Sequence, residues 1–170
     1  MLGSYENFPE TIHGKACFAV SLPNKRLQQT VITTLQKLNV KTCSVESITS
    51  PSMPQCAVSF EFGIAEGQDF NYVDDEEKIR MLQAVKKKAF LAMDFLCALR
   101  YHKTNEGKEK TPLRFDYYMV RLTFSEGLME ARVFHERGPR HLEPEDLIHL
   151  IADEVNQACR KKALRILGSV

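Results

Sequence analysis

The sequence lacks the features that place a chain in or across a membrane. No run of apolar residues approaches the roughly 20 that a membrane-spanning helix needs. The first residues also lack the basic and apolar regions of a signal peptide. With 44% hydrophobic and 26% charged residues, the composition is typical of a globular protein in water. We therefore predict a cytoplasmic location and no membrane partner.

Paired cysteines are absent as well. The five cysteines are odd in number and widely spaced, without a Cys-x-x-Cys pair, which argues against a disulfide framework and a local zinc site. The histidines His135, His141 and His149 do not have the fixed spacing of known zinc sites either. We interpret the cysteines as reduced thiols and predict no metal.

No motif of the chain predicts a cofactor or a nucleic acid. The net charge of +1 gives no global field that would attract a nucleic acid or an acidic membrane surface. The chain has neither a glycine-rich phosphate loop nor a nucleophile elbow. The sequence therefore disfavours nucleic acid as a partner and predicts no cofactor.

The chain has the length of one domain, and no shift in composition marks a second one within its 170 residues. Residues 1–11 are interpreted as an N-terminal arm, and residues 104–112 as a flexible loop. Apolar residues at the spacing of two predict strands at 12–22, 40–48, 56–65, 117–124 and 128–135. Helical spacing predicts helices at 25–38, 75–102 and 144–167.

The order of these elements predicts an α+β fold. The first six follow the order βαββαβ of a split βαβ unit, the ferredoxin-like core, and the last hairpin strand and helix extend it. Two helices of such a core cover one face of its sheet. We therefore predict an antiparallel sheet of about five strands, with three helices mainly on one face.

The other face of the predicted sheet would be open. Readers of single-stranded RNA with this architecture stack bases on aromatic side chains there. The first and third strands would lie at the centre, and their outward residues include no phenylalanine or tyrosine: His13, Lys15, Cys17, Ala19, Ser21, Ala57, Ser59, Glu61, Gly63 and Ala65. This pattern disfavours an RNA platform.

The predicted hairpin supplies a candidate interface. Its apolar pattern sets Phe124 opposite Met129 and Val120 opposite Val133, so that one whole face is apolar. On the outward face Met119 lies opposite Phe134, an apolar pair where water is expected, and exposed apolar patches commonly mark interfaces. We predict a homodimer, or another protein partner, with these residues at the interface: Tyr117, Met119, Arg121 and Phe134. The alternative is that the arm, with Tyr5 and Phe8, covers this surface.

A dense polar cluster follows the hairpin and supplies a candidate ligand site. It contains the four predicted ligand-binding residues His135, Arg137, Arg140 and His141. Two guanidiniums beside a helix start can bind a phosphate or a carboxylate, which would make the protein an anion or nucleotide binder. The alternative is that carboxylates at the same helix start, such as Glu143, pair with the arginines.

An enzymatic interpretation would use His135 as a general base, since a histidine can act near neutral pH. Glu136 could orient it, but adjacent residues of a strand point to opposite faces. A small hydrolase or transferase is therefore kept as an alternative. The favoured hypothesis is a non-enzymatic cytosolic binding or interaction module, homodimeric through the open face of the sheet.

Overall fold

Strands and helices alternate along the chain in the computed structural model, which describes residues 2–39, 41–44, 56–103 and 111–169. The strands are β1 Gly3–Ser4, β2 Gly14–Val20, β3 Thr42–Ser44, β4 Cys56–Glu66, β5 Asp69–Tyr72, β6 Ala92–Lys103, β7 Thr111–Ser125, β8 Leu128–Arg137 and β9 Leu164–Ser169. The helices are α1 Asn24–Leu38, α2 Asp75–Lys87 and α3 Pro144–Cys159. Within these described ranges, no helix combines the length and the apolar character that crossing a membrane requires.

The strands form a single sheet with antiparallel pairing throughout. Eight of them follow the order β1-β5-β4-β6-β7-β8-β2-β9, and the short β3 pairs with β4 beside this path. The α+β class, the antiparallel sheet and the three helices are thus confirmed, but the estimate of about five strands was too low. The ferredoxin-like core is not confirmed, because β2 lies between β8 and β9 and not beside β4.

The predicted helix 75–102 is wrong in its second half. Its first half is α2, whose N-cap residue is Asp74; the Asp74 carboxylate accepts a hydrogen bond of 2.8 Å from the Glu77 backbone N–H. Residues 92–103 form β6, which lies between β4 and β7. The middle of this strand is covered on both faces, so its sequence is apolar at nearly every position and hides the alternation of a strand.

The predicted helix 144–167 is too long at its C-terminal end. The helix α3 ends at Cys159, and Arg160 follows with a φ of 53°, in the left-handed region that ends helices. The chain then turns back as β9, which pairs with β2 at the edge of the sheet.

The predicted hairpin is confirmed, and its predicted register holds from Tyr118 to Ser125. Phe124 pairs with Met129, Leu122 with Ala131 and Val120 with Val133. The pairing shifts by one residue between Tyr117 and Tyr118, so that Tyr117 pairs with Arg137. The loop predicted at 104–112 lies outside the described residues up to residue 110, and its last two residues belong to β7.

The helices pack on one face of the sheet, which we call the inner face. The main core joins apolar residues from α1, α2 and α3 to those of the sheet, among them Leu27, Val85, Ile151, Phe60 and Val120. These side chains are almost completely buried. The core therefore fills the space between the helical layer and the sheet.

The opposite, outer face is partly covered by the N-terminal arm. The arm is held along β5, where Leu2 N–H donates to Phe70 O and Tyr5 N–H donates to Gln68 O, both at 2.7 Å. Leu2, Tyr5 and Phe8 pack there on a second, smaller cluster, whose buried members are Phe70, Leu96 and Met119.

Candidate functional site

The polar cluster at the end of β8 and in the turn that follows is built around a buried aspartate, Asp116 of β7. Its side chain is fully inaccessible to solvent and accepts four hydrogen bonds. Oδ1 accepts from His135 Nε2 at 2.8 Å and from the Arg140 backbone N–H at 2.7 Å. Oδ2 accepts from the Tyr101 hydroxyl at 2.7 Å and from the His141 backbone N–H at 3.0 Å. All donors converge on one carboxylate.

The chain can wrap around Asp116 because of the backbone at Gly138 and Arg140. Gly138 has a φ of 113°, and a Cβ there would collide with the Phe115 carbonyl oxygen and with the carboxylate itself. Arg140 has a φ of 58°, which is uncommon for a residue with a side chain. The strained turn lets two successive backbone N–H groups point at the carboxylate.

The hydrogen bonds decide the charge of Asp116. Burial raises the pKa of this carboxyl, but the bonds from His135, Tyr101 and the two backbone groups outweigh burial and hold the pKa below its ordinary value of 3.8. Because an ionised carboxylate can only accept, His135 Nε2 carries the proton in this bond. Burial, together with the bond to Asp116, also raises the pKa of Tyr101.

Three of the four predicted ligand-binding residues contact other residues in or beside the Asp116 cluster. His135 is bonded to Asp116, and its ring lies edge to face with Tyr118, 5.0 Å between centroids. The His141 ring lies edge to face with Tyr101 at 5.1 Å. Arg140 Nη2 is 3.3 Å from Glu143 Oε2. The structure thus shows the internal pairing of Arg140 that the sequence offered as the alternative.

Arg137 is the exception, since it lies on the outer face. Its guanidinium is 4.1 Å from the ring centroid of Tyr117, which is its partner across β7 and β8. The residue is exposed, and no carboxylate among the described residues pairs with it. The predicted site is therefore split, with one arginine facing away from the other members.

Arg137 belongs to a row of four side chains that we call the aromatic–arginine patch: Arg100, Phe115, Tyr117 and Arg137. The Arg100 guanidinium lies 5.1 Å from the Phe115 ring centroid, and the Phe115 and Tyr117 rings are stacked at 6.1 Å. The register explains the row, because Arg100 pairs with Phe115 and Tyr117 pairs with Arg137 across neighbouring strands. Two cations therefore flank two aromatic rings.

Polar and small side chains surround the patch. Arg100 Nη2 donates to Glu61 Oε1 at 2.9 Å, which compensates its charge. Ser59 Oγ and His102 Nε2 form a hydrogen bond of 3.0 Å beside it. Ala98 of β6 pairs with Tyr117, so only a small side chain lies beside the Tyr117 ring on the β6 side. The patch is thus an uneven surface with an aromatic centre and a polar border.

The predicted interface residues are placed in two different surroundings. Met119 pairs with Phe134 as predicted, and Met119 is buried while Phe134 packs against the cluster under the arm. Arg121 donates to both carboxylate oxygens of Asp94, at 2.7 and 2.9 Å, and covers the ring of Phe8. Tyr117 alone lies in the patch. The arm is therefore the occupant that the structure shows over the predicted apolar pair.

Sequence reasoning missed Asp116, Phe115 and Arg100. The signal for Asp116 was present, because it lies on the same parity as Tyr118, Val120 and Leu122, which places a carboxylate on the core face. Phe115 has the opposite parity and is 37% exposed. Arg100 was hidden because residues 75–102 were predicted as a helix.

Other candidate features of the described chain lie elsewhere. A groove of about 520 Å³ runs over the polar side of α1 between α2 and α3, lined by Arg26, Gln29, Thr30, Thr33, Lys37, Leu82 and Ala158. It includes no residue of the patch or of the Asp116 cluster. Across the ranges that the structure describes, no three His, Cys, Asp or Glu side chains are grouped as a metal site would require.

Comparison with known proteins gives no relative for this chain. No protein-family model, no curated protein and no solved structure matches it. Its function is therefore inferred from the geometry of the Asp116 cluster and of the aromatic–arginine patch.

Proposed function

We propose that this protein is a non-enzymatic cytosolic binding module that takes an anionic ligand on the aromatic–arginine patch. The observation that carries the proposal is Arg137, an exposed guanidinium that is held over Tyr117 and has no carboxylate partner among the described residues. A guanidinium binds phosphate or carboxylate through two parallel hydrogen bonds. Its position on a strand fixes where the anion would lie.

The sheet supports this role by holding the patch rigid. The side chains come from β6, β7 and β8, which lie next to one another inside the sheet and not at its edge. The Tyr117 ring supports the Arg137 guanidinium from one side, so less side-chain freedom is lost when an anion binds. A cation fixed in this way binds more tightly than a free surface lysine or arginine would.

The Asp116 cluster supports a structural role more than a catalytic one. His135 Nε2 is bonded to a carboxylate that solvent does not reach, and the His135 side chain is only 12% exposed, so little of the ring can reach a substrate as a general base must. The two backbone donors and the tyrosine saturate the remaining positions of that carboxylate. For this reason we prefer a binding function over the alternative of a hydrolase or transferase that uses His135.

A homodimer is a second candidate, and one observation favours it. Phe115 is a large apolar side chain of the patch that is 37% exposed. The dimer predicted from Met119 and Phe134 would have to displace the arm, whereas a dimer through Phe115 and Tyr117 would not. A second copy and an anion would therefore compete for the same surface.

The test is a thermal-shift titration of the full chain with inorganic pyrophosphate. We expect pyrophosphate to raise the unfolding temperature of the wild type and of Arg132→Gln, a control on the same outer face whose arginine is paired with Glu130. We expect no such rise for Arg137→Gln. A rise that Arg137→Gln retains, or no rise in the wild type, would overturn the proposal.

Light scattering of the same samples separates the second candidate. A dimer that Phe115→Ala converts to a monomer, together with the absence of any pyrophosphate effect, would replace anion binding by self-association. A monomer at all protein concentrations would exclude the dimer and leave the anion site as the use of the patch.

A further inference from the structure

We infer that the anionic ligand of the patch is a nucleotide, with its base on the aromatic row and its phosphate on Arg137. This inference rests on the proposed function and adds the ligand class. It begins from the fact that the unpaired cation does not stand alone, since two stacked aromatic rings lie directly beside it. An anion without an aromatic group would contact only the Arg137 guanidinium and not the two rings.

The aromatic row offers a stacking surface for a planar base. Bases stack on phenylalanine and tyrosine rings and also on the planes of guanidinium groups, and all four members of the patch are of these kinds. Phe115 is the most accessible ring of the row, while Tyr117 is half-buried. The base is therefore assigned to the Phe115 end of the row.

The sequence pattern disfavours bases on this sheet only if the first and third predicted strands lie at its centre, because no aromatic residue of those strands faces outward. In the structure β6 and β7 are the central strands, and Phe115 and Tyr117 of β7 face outward. The condition that a stacking platform requires is therefore met by a different strand.

The charges of the patch assign the phosphate to Arg137. Arg100 is bonded to Glu61, so an anion at Arg100 would lie close to a carboxylate. Arg137 has no such neighbour among the described residues, and its fork of N–H donors matches a phosphate. The single available cation beside two rings fits a small nucleotide better than a long polyanion. The net charge of +1 also gives no field that would attract a long polyanion.

The test is calorimetric titration of the full chain with four probes: AMP, adenosine, ribose 5-phosphate and inorganic pyrophosphate. We expect AMP to bind about fivefold or more tightly than ribose 5-phosphate, because a stacked base contributes at least about that factor. Adenosine should bind more weakly than AMP, since it lacks the phosphate that Arg137 holds.

Variants then assign the two parts of the ligand. Phe115→Ala should weaken AMP at least about fivefold and leave pyrophosphate unchanged, whereas Arg137→Gln should weaken both about tenfold or more. The matched controls are Leu128→Ala, an exposed apolar residue elsewhere on the sheet, and Arg132→Gln. Both controls should bind AMP as the wild type does.

The outcomes distinguish the two proposals. If AMP binds no more tightly than ribose 5-phosphate, or if Phe115→Ala leaves AMP binding unchanged, the nucleotide inference is overturned while the anion site stands. If neither AMP nor pyrophosphate binds, the proposed function itself is overturned.

Discussion

Asp116 and Tyr117 are neighbours in β7, but they lie in opposite surroundings. Asp116 points to the inner face, where four donors surround a carboxylate that solvent does not reach. Tyr117 points to the outer face, where the exposed guanidinium of Arg137 lies over its ring. The end of β8 contributes to both sides, since His135 is bonded to Asp116 and Arg137 lies over the Tyr117 ring.

The difference separates groups that stabilise the fold from groups that remain available. A buried carboxylate with all its positions filled has nothing left to offer a ligand, and its removal leaves donors unpaired. A guanidinium on a ring at the surface is held in place but keeps free N–H groups. On this ground we propose a stabilising role for the Asp116 cluster and a binding role for the aromatic–arginine patch.

The largest expected effect is the loss of Asp116. Asp116→Ala leaves the His135 ring, the Tyr101 hydroxyl and two backbone N–H groups without their acceptor, and should lower the free energy of unfolding by about 3–5 kcal/mol. Urea unfolding measures it, with Asp153→Ala on the exposed side of α3 as the control. A loss below about 1 kcal/mol for Asp116→Ala would show that the cluster does not hold the turn.

The second effect concerns the turn itself. Gly138→Ala combines a φ of 113° with a collision against Phe115 O and the Asp116 carboxylate, and should cost about 3 kcal/mol or more. Gly127→Ala has a φ of 72° but open space around its Cβ, and should cost about 1 kcal/mol. Equal losses in urea unfolding would contradict the packing of the turn against Asp116.

The third effect is a dependence of stability on pH. The pKa of Asp116 is lower in the folded protein than its ordinary value of 3.8, so its contribution to stability is present above that value and is lost as the pH falls through the folded pKa. Unfolding midpoints measured from neutral pH down to acid should therefore fall less steeply for Asp116→Asn than for the wild type. Parallel curves would contradict the assignment of an ionised Asp116.

The smallest expected effect is on the patch, and it sharpens the contrast. Phe115→Ala and Arg137→Gln remove side chains that are exposed and make no buried hydrogen bond, so they should change the free energy of unfolding by less than about 0.5 kcal/mol. Thermal unfolding of both variants beside Asp116→Ala makes the comparison direct. A large loss in either patch variant would give the patch a structural role.

The parts of the fold that the sequence predicted are those with one face in water. The hairpin of β7 and β8 alternates clearly because its inner residues are buried and several outer ones are not, and its register was predicted correctly from Tyr118 to Ser125. β6 was predicted as a helix because Ala92–Lys103 is covered by helices on one face and by the arm on part of the other. Without alternation, an apolar run of this length favours neither structure.

The candidate site was predicted only where it is local in sequence. His135, Arg137, Arg140 and His141 are close along the chain, and their cluster was found. Their separation onto two faces depends on the register shift at Tyr117 and on the turn at Gly138. The partners Tyr101, Arg100 and Glu61 come from strands whose pairing no local pattern reveals.

The most direct measurement of the central claim compares affinity and stability in one variant. Arg137→Gln should weaken AMP binding about tenfold or more in calorimetry while its free energy of unfolding stays within about 0.5 kcal/mol of the wild type. Unchanged AMP binding, or a loss of binding that accompanies a comparable loss of stability, would contradict the separation of a structural inner site from a binding outer patch.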